Sequence, residues 1–141
     1  MNDVRVSDFT EPTAVIRLTK IRNENGVKKG RYYKGLENDA QALYEATRSA
    51  WSTKNCHKIP LTTLALSAYD GIVLEVYRIE KWQPAYYTTV AEPPKGYAKD
   101  NSRIEFVGTI ADEAVRNKFK GKYVKHLFKR GDAHPVGVFG V

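Results

Sequence analysis

The segment of residues 116–130 carries a concentration of positive charge that could hold phosphate groups. It contains seven of the 23 lysine and arginine residues of the chain and none of its 16 acidic residues, so the formal net charge of +7 lies entirely there. Clustered positive charge attracts polyanions such as nucleic acid, although a solvated basic face that only aids solubility has the same composition. The residues predicted to hold phosphates are Lys118, Lys120, Lys122, Lys125, Lys129 and Arg130.

Aromatic residues near cations could supply the stacking surfaces that nucleic-acid binding also needs. Arg48 and Trp51 are one helical turn apart, and Trp82 is the last residue of the hairpin predicted over residues 61–82. An aromatic ring stacks a base with about 1–3 kcal/mol, while cations bind the phosphates. A tryptophan also has a large apolar area, so a place in the core is the alternative for both. Arg48 needs a partner, either an internal carboxylate such as Glu75 or a ligand phosphate or base edge.

Residue types that hold metals or attack substrates are sparse. The single cysteine, Cys56, cannot form an internal disulfide. Cys56 adjoins His57, but the other histidines, His126 and His134, do not complete the spacing of a zinc site. The sequence shows no glycine-rich phosphate loop and no metal-binding cluster of carboxylates. We therefore expect no metal, no cofactor and no catalytic residues.

Residues 61–82 contain the strongest local structural signal, two β-prone runs joined by Asp70-Gly71. Asp-Gly suits a type I′ turn, which requires positive φ at both central residues, so the pattern predicts a β-hairpin. In the second run the even-numbered residues 72–78 and the odd-numbered residues 73–79 form two faces, and both faces are mostly apolar. This is typical of a strand covered on both sides, so the hairpin should lie centrally in a sheet.

The remaining elements complete an α+β pattern, because strands and helices do not alternate strictly. We predict a curved, mostly antiparallel sheet or small open β-barrel with two or three short helices, as one domain over residues 1–141 with residues 1–12 as a loosely ordered lead-in. If the second helix continued through Gly121, several lysines would form one basic stripe. Strands are predicted at residues 13–21, 27–33, 85–90, 103–109 and 135–141, and helices at residues 38–51, 112–119 and 122–130.

The composition is typical of a soluble globular protein in a reducing, cytoplasmic setting. The longest mostly apolar run without a charge, residues 59–69, is about half of what a membrane-spanning helix needs. The N-terminal residues lack the basic start and apolar stretch of a secretory signal. We expect no membrane partner.

Three blocks of sequence resemble a widespread group of small bacterial and phage domains, over residues 36–141. The strand–helix order of that group is similar to PUA-like modules of the EVE and ASCH type, small β-barrels associated with binding RNA or modified bases. The resemblance implies a pocket at the mouth of a barrel, near Arg48, Trp51 and Trp82, where aromatic rings would surround an extruded base. The blocks are residues 43–48 (Leu-Tyr-Glu-Ala-Thr-Arg) with Trp51, residues 75–82 (Glu-Val-Tyr-Arg-Ile-Glu-Lys-Trp), and Arg103, Phe106 and Gly108 continuing to Gly121, Tyr123, Val124 and residues 134–136 (His-Pro-Val).

Together these features predict a non-catalytic nucleic-acid-binding domain, for RNA or DNA, that uses a basic C-terminal segment and an aromatic-lined pocket. One alternative is a protein-interaction or regulatory module, for which the basic segment would bind an acidic protein partner. A nucleotide- or nucleic-acid-processing enzyme is the third hypothesis.

Overall fold

The computed structural model describes residues 2–54, 56–89, 91–97, 102–129 and 134–141. Its helices are α1 (Ala40–Arg48) and α2 (Glu113–Phe119), with short 3₁₀ turns at Val6–Asp8, Leu36–Asn38, Ile59–Leu61 and Lys125–Leu127. Its strands are β1 (Thr13–Leu18), β2 (Arg22–Glu24), β3 (Val27–Lys29), β4 (Trp51–Ser52), β5 (Leu64–Tyr69), β6 (Ile72–Pro84), β7 (Arg103–Ile110) and β8 (Val136–Phe139).

Six of these strands form one mixed sheet in the order β4-β7-β6-β5-β1-β8, which curves until it is nearly closed. β1 pairs in parallel with β5, and the other neighbours pair antiparallel. The predicted α+β fold, a curved and mostly antiparallel sheet or small open barrel with few helices, is confirmed. β2 and β3 form a separate two-stranded ribbon whose residues are all exposed.

The hairpin of β5 and β6 lies in the middle of the sheet, as predicted. Asp70 and Gly71 have φ angles of 50° and 79°, the positive values that a type I′ turn requires. β5 and β6 each have a further neighbour in the sheet, β1 and β7 respectively. The remaining strands are therefore arranged around this hairpin.

A β-bulge in β6 changes which of its residues share a face. The register between β5 and β6 shifts between Ser67 and Ala68, so Leu74 has no direct partner. Val73 and Val76 consequently pack in one core cluster, whereas Leu74 packs against the other. The strict alternation predicted from the sequence is wrong here, because the extra residue re-aims the side chains that follow.

Different elements cover the two faces of the sheet. α1 covers the first face, where Leu43 packs with Ile16 and Phe106. α2 and the residues after it cover the second face, where Phe119 packs with Val15. Val15 and Ile16 are successive residues of β1, so their side chains point to opposite faces.

Residues 2–12, predicted as a loosely ordered lead-in, pack against the second face. Val4 is fully buried and Phe9 is 8% exposed. The N–H of Val4 donates to the carbonyl oxygen of Tyr123 at 2.9 Å, and the Phe9 ring stacks on Phe119 with centroids 5.5 Å apart. The start of the chain therefore contributes to the core.

α1 begins and ends for local reasons that are visible in its flanking residues. The Asp39 carboxylate accepts a hydrogen bond from the N–H of Ala42, as expected of an N-cap. The helix ends at Arg48, earlier than predicted, because the chain leaves it to pair Trp51 with Ile104 of β7. Trp51, the last residue of the predicted helix, therefore begins strand β4.

The strand predicted at residues 85–90 is wrong for its described part, residues 85–89, which forms turns and bends. Tyr86 has a φ of 64°, which interrupts an extended chain. The N–H groups of Tyr87 and Thr88 donate to the Glu105 carboxylate instead of to a neighbouring strand. Val90 lies outside the described residues.

The helix predicted at residues 122–130 is also wrong for its described part. Gly121 has a φ of 81°, and the following backbone pairs with β6, since the N–H of Val73 donates to the carbonyl oxygen of Lys122 at 2.9 Å. A 3₁₀ turn at Lys125–Leu127 is the helical structure in that part. The continuous basic stripe therefore does not form.

Candidate nucleic-acid interface

The structure gives Arg48, which was predicted to contact a ligand, several internal partners. The residue is 4% exposed. Its Nε donates to the carbonyl oxygen of Phe106 at 2.9 Å, Nη1 donates to Glu45 at 3.1 Å, and Nη2 donates to the hydroxyl of Thr88 at 2.5 Å. Arg48 therefore holds β7 and the turn after β6 against α1.

Glu105 is the buried carboxylate at the centre of this network. It is fully buried and accepts hydrogen bonds from Gln83 at 2.7 Å, from the N–H of Thr88 at 2.8 Å and from the N–H of Tyr87 at 3.2 Å. Burial by itself raises the pKa of Glu105. The hydrogen bonds from Gln83 and Thr88, and the charge of Arg48 at 3.6 Å, outweigh burial and hold that pKa below its ordinary value.

Both tryptophans pack against the core cluster beneath α1. Trp51 is 7% exposed, and its indole Nε1 donates to the carbonyl oxygen of Thr47 at 2.7 Å. Trp82 is half-buried, its Nε1 donates to the hydroxyl of Thr62 at 3.0 Å, and its ring meets Phe106 edge-on. Both indole rings therefore contact protein groups, and neither ring is in the described lining of the two cavities reported below.

Two cations of the basic segment neutralise a carboxylate of the sheet. Arg116 donates to both oxygens of Glu75, at 2.7 and 3.0 Å, and Lys120 Nζ lies 3.5 Å from the same group. Burial by itself raises the pKa of Glu75. The hydrogen bond from Arg116 and the charge of Lys120 lower that pKa by more, so the net shift is downward. Glu75, offered by the sequence as a partner for Arg48, thus belongs to the α2 side.

The basic segment and the predicted aromatic pocket lie on opposite faces of the sheet. Phe119 packs in the cluster on the second face, and Trp51 packs in the cluster on the first. These two parts therefore do not combine into one surface. Of the other predicted cations, Lys118 lies 5.4 Å from the Phe119 ring, Lys122 is half-buried, Lys125 and Lys129 are exposed, and Arg130 lies outside the described residues.

A cleft of about 500 Å³ opens where the carboxyl ends of the parallel strands β1 and β5 meet the segment after α2. Three cations line it: Arg17 from β1, Lys20 just beyond β1, and Lys125 from the basic segment. Asp70 is the acidic residue among the described residues of its lining. We call this site the basic cleft, and its volume is in the range of ligand-binding pockets.

Aromatic side chains form part of the walls of the basic cleft. The Arg17 guanidinium lies over the Phe128 ring, with Cζ 3.8 Å from its centroid. Tyr69, the last residue of β5, stacks on Tyr32 with centroids 3.6 Å apart and the rings 8° from parallel. The basic cleft thus combines cations with rigid aromatic surface.

Lys20 and Lys125 provide the cations of the basic cleft that are left to bind a ligand. Both side chains are exposed, and neither has a carboxylate within 4 Å in the described part of the chain. Arg17 differs, because its Nη2 donates to the carbonyl oxygen of His134. Gly71 leaves room for Lys125 at the edge of the cleft. A side chain at position 71 would crowd it, because its Cβ would lie 3.1 Å from the Cβ of Lys125.

Sequence reasoning missed four residues of this cleft: Arg17, Lys20, Tyr69 and Phe128. Tyr69 ends the first run of the predicted hairpin, whereas Arg17, Lys20 and Phe128 lie within predicted elements, so no local signal marked them as a group. Their convergence depends on the parallel pairing of β1 with β5, between segments that are far apart in the chain. Local patterns do not determine such a pairing.

Two negative findings hold for the part of the chain that the structure describes. No three His, Cys, Asp or Glu side chains lie together in an arrangement that could hold a metal ion. No described helix is long and apolar enough to cross a membrane.

No protein-family model matches the sequence, and neither a curated protein nor a solved structure matches the chain. The resemblance to PUA-like modules therefore stays a prediction.

Proposed function

We propose that this protein is a non-catalytic nucleic-acid-binding domain that holds a strand of RNA or DNA in the basic cleft. Lys20 and Lys125 bind phosphates, Arg17 adds positive charge to the wall, and Phe128 and Tyr69 contact a base. The observation that carries the proposal is the convergence of three cations on an aromatic-walled cavity of about 500 Å³.

A strand with unpaired bases suits this geometry better than a closed duplex. Aromatic side chains inside a cleft reach the faces of bases that are splayed out, whereas bases in a duplex stack on one another. Phosphate contacts supply a large share of the affinity, so binding falls as the salt concentration rises. The ligand class agrees with the one that the PUA-like resemblance implies, although the site differs from the predicted pocket.

The test is fluorescence polarisation with labelled single-stranded RNA, single-stranded DNA and duplex DNA over a series of salt concentrations. We expect Lys20→Gln/Lys125→Gln to weaken single-strand binding about tenfold or more at low salt. The same variant should lower the slope of log K against log salt by about 1.4, because each phosphate contact on a single strand contributes about 0.7.

Lys58→Gln/Lys81→Gln is the matched control, because both lysines are exposed, neither lines the basic cleft, and the change in net charge is the same. Equal losses in the two double variants would show that net charge, not the cleft, governs binding. If the wild-type protein binds no oligonucleotide and an acidic protein co-purifies from nuclease-treated lysate, the protein-interaction hypothesis replaces this one.

A further inference from the structure

A second cavity, of about 390 Å³, lies between the base of the β2–β3 ribbon, the end of α1 and the turns after β6. Its described lining includes Lys28 from the ribbon, Arg31 just beyond the ribbon, Ser49 after α1, and Tyr86 and Thr89 after β6. None of these residues lines the basic cleft. We call this second site the arginine cavity.

Arg31 is the central cation of the arginine cavity. Its guanidinium lies over the Trp51 ring, with Cζ 4.3 Å from the centroid, and Nη1 donates to the carbonyl oxygens of Ala46, at 2.8 Å, and Ser49. These contacts to the end of α1 use two of the five N–H groups of a guanidinium. The N–H groups on Nε and Nη2 have no hydrogen-bond partner within the described ranges.

Arg31 also lacks an anionic partner in the described part of the chain. Glu45, which lines the same cavity, is paired with Arg48 at 3.1 Å, and Glu92 is exposed. Burial lowers the pKa of Arg31, the nearby Tyr86 phenol raises it, and the charge of Arg103 lowers it, with a net downward shift. A cation that has lost water without gaining an anion is stabilised when an anion binds beside it.

Two hydroxyl groups in the lining of the cavity complete the set of donors. Ser49 Oγ and Thr89 Oγ1 are buried and have no hydrogen-bond partner among the residues that the structure describes, and Ser49 is 6% exposed. Buried hydroxyls are normally hydrogen-bonded, so two unsatisfied ones in the lining of a single cavity point to a ligand. Hydroxyls beside a guanidinium are suitable donors to phosphate oxygens.

We propose that the arginine cavity binds a phosphate group. Nε and Nη2 of Arg31 donate to its oxygens, the hydroxyls of Ser49 and Thr89 donate from the wall, and Lys28 adds positive charge. The phosphate belongs either to a small phosphomonoester or to the phosphorylated end of a nucleic-acid strand, since both present the same group. This site does not depend on the function proposed for the basic cleft.

The first experiment is a ¹⁵N NMR titration with inorganic phosphate, matched in ionic strength by chloride. We expect saturable shifts at the backbone N–H groups of Ser49 and Thr89 and at the Nε–H of Arg31. Arg31→Lys keeps the charge but loses the planar fork, so it should weaken phosphate binding about tenfold or more. The matched control is Arg22→Lys, at an exposed arginine of β2 that does not line the cavity.

Because Arg31 also holds the end of α1, Arg31→Lys could unfold the protein, and two further variants keep the proposal testable. Ser49→Ala and Thr89→Val retain Arg31 and each should weaken phosphate binding about fivefold. Absence of saturable shifts in the wild-type protein overturns the proposal, and so does equal phosphate binding by the wild-type protein and these variants.

A second experiment separates the two sources of the phosphate. Polarisation with a 5′-phosphorylated oligonucleotide and its 5′-hydroxyl counterpart shows a preference if the ligand is a strand end, and equal affinities if it is a small phosphomonoester. Lys20→Gln/Lys125→Gln should retain the response to inorganic phosphate. Failure of the basic cleft to bind nucleic acid is thereby distinguishable from failure of the arginine cavity to bind phosphate.

Discussion

Replacing Glu105 with glutamine should destabilise the protein strongly although it changes a single oxygen into an NH₂ group. Glu105 Oε2 accepts from Gln83 and from both the N–H and the hydroxyl of Thr88, and Oε1 accepts from the N–H of Tyr87. If the glutamine places its oxygen where Oε2 was, its NH₂ group lies where Oε1 was. That NH₂ group and the N–H of Tyr87 are both donors, so this hydrogen bond is lost. Arg48 also loses one of its two carboxylate partners.

The size of the effect follows from these contacts. Breaking a buried ion pair costs about 3–5 kcal/mol, and a buried donor left without an acceptor costs about 1–3 kcal/mol. Because Arg48 keeps Glu45 as a partner at 3.1 Å, we expect the lower end, about 3 kcal/mol of unfolding free energy. With an m-value of about 1.5 kcal/mol/M, the urea midpoint should fall by about 2 M.

Urea unfolding followed by tryptophan fluorescence measures this change, because Trp51 and Trp82 pack beside the network. Glu24→Gln is the matched control, since Glu24 pairs with Lys29 and Arg22 on the exposed ribbon, where an ion pair contributes about 0–1 kcal/mol. If Glu105→Gln unfolds at the same urea concentration as Glu24→Gln, the Glu105 network does not stabilise the fold as described.

Two further predictions concern the sheet. Gly108→Ala should cost about 2 kcal/mol or more in urea unfolding, because its Cβ would lie 2.2 Å from the carbonyl oxygen of Arg78; wild-type stability would contradict that close approach. The folded-state pKa of Glu75 lies below the ordinary 4.5, so the stability from its pair with Arg116 is fully present above pH 4.5 and is lost as the pH falls through the folded-state value. Glu75→Gln should therefore be less stable than the wild type at neutral pH and should lose stability less steeply in acid, which unfolding curves at several pH values would test.

The parts of the fold that were predicted correctly depend on interactions between near neighbours. Asp70-Gly71 determines the turn of the central hairpin because few residues adopt positive φ. Fold class follows from the order of such elements. These predictions needed no knowledge of distant partners.

Two of the wrong predictions concern segments whose backbone hydrogen-bonds to a distant part of the chain. Residues 85–89 have strand composition, but the Glu105 carboxylate binds their N–H groups and holds them in a turn. Residues 122–130 have the composition of a helix, but the carbonyl oxygen of Lys122 accepts a hydrogen bond from the N–H of Val73 in β6. In both cases a tertiary hydrogen bond outweighs a local propensity of a few tenths of a kcal/mol per residue.

The amino-acid sequence by itself determined the central hairpin and the clustering of positive charge in residues 116–130, because these depend on residue type and short spacings. The tertiary structure alone decided which cations have partners. Arg48, the arginine that looked most suited to a ligand, is buried against Glu105 and Glu45, whereas Arg31, which the sequence did not single out as a site residue, has no carboxylate partner in the described part of the chain. Burial and ion pairing depend on contacts between residues far apart in the chain, which only the folded arrangement brings together.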